Sequence, residues 1–75
     1  MVLKHVDKYK QLGLNISFYR KATGMTQVQL AERADISRTY LSNIEAPNVI
    51  IPFTTTVLFN ISDALGVELN KLFTP

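Results

Sequence analysis

Between residues 26 and 45 the chain reads TQVQLAERADISRTYLSNIE, a helical pattern that stops at Ala34-Asp35-Ile36 and restarts at Ser37 with no linker. Thr26 offers an N-cap, and Gln29 stands at capping-box spacing from it. Leu30, Ala31 and Ala34 fall on one inward face. Asp is among the residues that tolerate the left-handed backbone needed to turn a chain sharply. Ser37 is a good N-cap for the second piece. Leu41 and Ile44 are spaced as its buried side, with Ile36 packing where it begins. Arg38, Thr39, Ser42 and Asn43 are left pointing outward, with Tyr40 toward the flank. A helix that only packed would do with Glu and Lys there.

The rest of the chain supplies a body for this pair. Tyr9, Leu12, Ile16 and Tyr19 recur at three- and four-residue steps, which predicts a helix over 7–23. Gly24 sits where a helix ends in a left-handed turn. Ala46-Pro47-Asn48 ends the second short helix. Residues 49–56 are rich in β-branched side chains, but Pro52 interrupts them and no partner strand exists, so they read as a loop. Val57, Leu58, Ile61, Ala64 and Leu65 return to helical spacing until Gly66. A last short helix is expected to hold Leu69, Leu72 and Phe73. The expectation is an all-α, compact five-helix bundle forming a single domain over 1–75, with 1–6 as a flexible N-terminal arm.

Composition removes several function classes. Seventy-five residues make one small domain with a limited core. There is no cysteine, hence no disulfide framework and no Cys-containing zinc site. No apolar run can span a bilayer, and the N-terminus lacks a signal peptide's apolar block, so a cytoplasmic protein without membrane association is expected. There is no Ser/His/Asp set or glycine-rich phosphate loop, and the single histidine, His5, reads as a solvated residue. No enzymatic activity, metal, cofactor or small-molecule effector is expected. The net charge is only +2; five basic residues (Lys4, Lys8, Lys10, Arg20, Lys21) precede position 26 against one acid, Asp7. The 26–45 stretch itself is slightly acidic, with Arg33 and Arg38 against Glu32, Asp35 and Glu45. A polyanion held there would need uncharged side chains and backbone N–H groups as well as charge.

Two short helices joined by a tight turn, the second presenting small polar and Arg side chains, form a helix-turn-helix. A B-DNA major groove admits one such helix. Three segments carry a closer resemblance: GMTQVQLA, ISRTYLSNIE and ISDALGV, in this order and spacing. Together they resemble the XRE family, the helix-turn-helix group of the lambdoid phage repressors and Cro proteins, over roughly residues 12–73. The resemblance implies a lambda-repressor-like fold and a sequence-specific DNA-binding regulator, a repressor on a palindromic operator. It implies that Arg38, Thr39 and Asn43 reach base edges: Arg38 toward guanine, Asn43 toward adenine, Thr39 toward thymine or an acceptor. Gln27 matches a residue that binds a backbone phosphate, and Tyr40, Ser42 and Asn48 are the further phosphate candidates. Arg20 and Glu45 match a structural pair linking the first helix to the end of the recognition helix. The chain departs from the family in two places. Asp35 replaces the commoner turn glycine, and APNVIIPFTTT replaces the usual R-G-x-x-x-P-S loop with one residue more and no charge.

Val49, Ile50, Ile51, Phe53, Phe59, Leu72 and Phe73 exceed what one small core obviously needs. They either close the core over the recognition helix or form a homodimer patch. A dimer would place two recognition helices one DNA turn apart, roughly 34–36 Å. The rival to DNA binding is a protein-interaction module, such as an antitoxin or a partner-binding subunit, that grips its partner with the apolar loop at 49–53. Arg38 and Gln27 are both expected to be exposed, so that losing either should leave stability unchanged.

Overall fold

A computed structural model describes residues 5–49 and 51–74. Four α-helices follow in order: α1 (Val6–Ala22), α2 (Gln27–Arg33), α3 (Arg38–Glu45) and α4 (Thr55–Leu65). Leu69–Phe73 closes the chain as a 3-10 helix. Among the described residues the fold is therefore all-α with four α-helices, and the fifth helix expected from Leu69, Leu72 and Phe73 is corrected to this tighter turn. Five residues are too few to close a stable α-helical ladder. The Asn15 side chain also donates to the Leu72 carbonyl at 2.8 Å and to the Thr74 carbonyl at 2.6 Å, tying the segment down on α1. Of the expected N-terminal arm, residues 1–4 lie outside the described residues, and Val6 is already the first residue of α1.

Helix boundaries follow local capping chemistry. Thr26 and Gln29 form a capping box: the Thr26 hydroxyl accepts from the Gln29 N–H at 3.1 Å, and the Gln29 side chain accepts from the Thr26 N–H at 2.9 Å. Thr54 caps α4 by accepting from the Val57 N–H, which starts that helix two residues before the apolar spacing does. Helices α1 and α2 end alike. Gly24 and Asp35 sit in the left-handed region, at φ 76° and 58°, and the following N–H returns to a carbonyl five residues back: Met25 to Arg20 and Ile36 to Ala31. These are Schellman ends, and the second turns the chain from α2 into α3 with Asp where glycine is usual.

Leu12, Ile16, Leu30, Ala31, Ala34, Leu41, Ile44, Leu58, Ile61, Leu65 and Leu72 form one buried core, with Ile36, Phe53 and Tyr40 packed at its margin. Helix α1 packs on α3 and on the 3-10 helix, while α2 packs on α3 and α4. The contact of α1 with α3 depends on Gly13, which is buried in the middle of α1. A Cβ placed there would collide with the Ile44 carbonyl oxygen in the last turn of α3.

Gly13→Ala tests this contact. Mid-helix Gly→Ala ordinarily gains up to about 1 kcal/mol, whereas a methyl forced against backbone costs about 1–3 kcal/mol. The expected net result is a melting temperature lowered by several degrees. A higher melting temperature would mean that α1 does not press on α3 at this point.

Candidate nucleic-acid interface

Helix α3 is fixed at both ends. At its start the Ser37 hydroxyl accepts from the Tyr40 N–H at 3.0 Å. At its end the Glu45 carboxylate is gripped by Arg20 from α1, with Nε to Oε2 and Nη2 to Oε1 both at 2.9 Å. The remaining arm of the Arg20 guanidinium donates to the Met25 carbonyl at 2.9 Å, where the chain passes from α1 to α2. Gln27, the first residue of α2, donates from its side-chain amide to Glu45 Oε1 at 3.3 Å. Three helices thus meet at one carboxylate, and both partners of the ion pair are largely withdrawn from water, with side-chain exposures of 11% for Arg20 and 5% for Glu45.

Between these two anchors the helical screw sorts the remaining side chains. At 100° per residue, Arg38, Ser42, Thr39 and Asn43 occupy one continuous arc, opposite buried Leu41 and Ile44. Arg38 and Thr39 are exposed, and Ser42 and Asn43 are half-buried. Among the described residues, none of these four side chains has an internal hydrogen-bond partner, so their donors and acceptors are available to a bound molecule. Tyr40 lies at the edge of the arc, half-buried against the core. Asn48 is exposed in the loop after α3.

Two readings change with the structure. Gln27 is half-buried and hydrogen-bonded to Glu45, so its removal is no longer expected to be free of a stability cost. The charge count over 26–45 also changes, because Glu45 is buried and neutralised by Arg20. The solvent-facing balance becomes Arg33 and Arg38 against Glu32 and Asp35, which is even, so the surface does not repel a polyanion. Of the three threonines that end the loop read from the sequence, Thr54 is occupied in capping α4, while Thr55 and Thr56 are exposed in the first turn of that helix. Sequence reasoning missed Gly13 and Asn15. A glycine inside a strongly helical run was the available signal for the first; nothing local marked the second.

A family model for helix-turn-helix proteins matches residues 16–72, which include the three segments that carry the XRE resemblance. The immunity repressor protein of Bacillus phage phi105 is 38% identical over 61 residues, covering 81% of this chain and 41% of that protein. The chain therefore spans less than half the length of that phage repressor. An uncharacterized HTH-type transcriptional regulator of Sinorhizobium fredii, y4dJ, is 34% identical over 74 residues, covering 93% of this chain and 88% of that protein. Among solved structures, the master regulator for biofilm formation SinR, in complex with DNA, matches with a TM-score of 0.76 at 33% identity, over 84% of this chain and 98% of that one. The chain belongs to the helix-turn-helix family.

Removing one partner of a buried, hydrogen-bonded ion pair typically costs about 3–5 kcal/mol, because the other charge is left uncompensated. Glu45→Ala is expected to lose stability in that range by urea unfolding, and Gln27→Ala roughly 1 kcal/mol. A Glu45→Ala variant as stable as the parent would show that the carboxylate is not the joint described here.

Proposed function

We propose that this chain is a sequence-specific DNA-binding transcriptional regulator that lays α3 in the major groove. The observation that carries this reading is the polar arc of α3, whose side chains lack internal partners on a helix held rigidly at both ends. Membership of the helix-turn-helix family and the likeness to a phage repressor and to SinR support it.

In this reading Arg38, Thr39 and Asn43 touch base edges. Arg38 offers two parallel donors to a guanine, and Asn43 a donor and an acceptor to an adenine. Gln27, Tyr40, Ser42 and Asn48 contact phosphates and set the register. Gln27 is well placed for that task, because one side-chain amide can bridge Glu45 and a phosphate oxygen and so couple backbone docking to the pose of α3. Since the surface carries little net charge, specificity rests on hydrogen bonds more than on the general field.

We further propose that two copies bind a palindromic operator and repress by occupying it. Val49, Phe59 and Phe73, at 40%, 48% and 55% exposure, are the apolar side chains available for the contact between copies. Phe53 and Leu72, counted with them in the sequence, are instead engaged: Phe53 stacks edge-on against Tyr9 and Leu72 is fully buried. Ile50 lies outside the described residues.

The test is a titration of fluorescent duplexes at several salt concentrations. Affinity is expected to fall as salt rises. Arg38→Ala is expected to cost roughly 1–3 kcal/mol on the preferred duplex and to relax the preference at one base position per half-site. Gln27→Ala should weaken all sequences more evenly. If Arg38→Ala changed neither affinity nor base preference, Arg38 would not be the reading residue.

A further inference from the structure

Phe73 is 55% exposed, yet its backbone is held on both sides. The half-buried Asn15 amide of α1 donates to the Leu72 carbonyl at 2.8 Å and to the Thr74 carbonyl at 2.6 Å. These two carbonyls flank Phe73. The plane of the amide is itself set, because its oxygen accepts from the Gln11 side chain one turn earlier at 3.0 Å. Beyond Phe73, the Thr74 hydroxyl donates to the Asn70 carbonyl at 3.2 Å. The chain is thus gripped before and after Phe73, which fixes the direction in which its ring leaves the surface.

Rooting the 3-10 helix in the core does not require this clamp. Leu72 is fully buried and already anchors the segment. The second donation goes to Thr74, which lies past the last residue of the 3-10 helix and is itself exposed. What the two donations hold between them is Phe73. A five-residue 3-10 helix is a weak support for an exposed contact residue. Phe59, by contrast, stands on the eleven-residue α4. A side chain ordered before contact loses less freedom on contact, so ordering it in advance strengthens association. Resting on the reading of Phe73 as part of the contact between two copies, we infer that Asn15 is a positioning residue for that contact, acting by aiming Phe73 and not by touching the other copy.

The test is self-association by sedimentation equilibrium, of the intact protein alone and on a palindromic duplex, beside affinity for the isolated half-site. Asn15→Asp keeps the size of the side chain and the acceptor for Gln11 but removes both donors. It is expected to weaken pairing of the copies roughly tenfold, because two clamps are lost per dimer, and to leave half-site affinity and base preference as in the parent. Gln11→Ala frees the amide plane and spares the donors. It should weaken pairing by a smaller factor, and it decides the question if Asn15→Asp does not fold. Gly13→Ala, destabilised at a different contact of α1, should pair as the parent does. The inference is overturned if Asn15→Asp and Gln11→Ala pair like the parent, or if Gly13→Ala pairs as weakly as they do, since the effect would then be a general loss of stability. Phe73→Ser separates this inference from the reading it rests on. Lost pairing in Phe73→Ser with parental pairing in Asn15→Asp keeps the Phe73 contact and removes the role of Asn15, whereas parental pairing in Phe73→Ser removes both.

Discussion

Everything that makes α3 usable depends on the carboxylate of Glu45. It is buried at the far end of the helix and receives two hydrogen bonds at 2.9 Å from Arg20 and one from Gln27. Arg20 reaches at the same time to the Met25 carbonyl, in the passage from α1 to α2. One charged group therefore fixes the end of α3 relative to both α1 and the start of α2. Burying such a pair yields little net stability compared with apolar residues of the same size. What it provides is directionality: a guanidinium fork donates to a carboxylate in one plane, whereas leucines would slide.

A helix that reads bases must be rigid and yet not enclosed. Leu41 and Ile44 root α3 in the core, Ser37 caps its first turn, and Gly13 lets α1 come against its last carbonyls. The opposite side is left uncovered. The turn at Asp35 makes this possible, because the left-handed residue and the Ile36-to-Ala31 hydrogen bond turn the chain within the four residues between α2 and α3. A longer connection would let α3 tilt.

What could be read from the sequence divides along the range of the interactions. The capping box at Thr26, the Ser37 cap, the left-handed turns at Gly24 and Asp35, and the buried faces of α2 and α3 were legible because each is set by residues within one turn of each other. The pairing of Arg20 with Glu45 crosses 25 positions, and it was suggested by resemblance to a family, not by spacing. Gly13 is not legible in this way, because its reason is a carbonyl thirty-one residues later in the chain. The form of the last turn is not legible for a similar cause: helical spacing at Leu69 and Leu72 is compatible with either an α or a 3-10 turn, and the Asn15 clamp comes from another helix. On α3 itself, spacing fixed which side chains face outward. It did not reveal that Gln27 is drawn into the Glu45 network.

The most direct test of the account is selection of bound duplexes from a fully random DNA library, using the intact protein. The account predicts a two-fold symmetric consensus whose half-site centres are one helical turn apart, roughly 34–36 Å, with guanine and adenine at positions that respond to Arg38→Ala and Asn43→Ala respectively. Recovery of no consensus, with only weak binding that salt removes evenly from all sequences, would contradict it. That result would mean that the polar arc of α3 faces something other than a DNA groove.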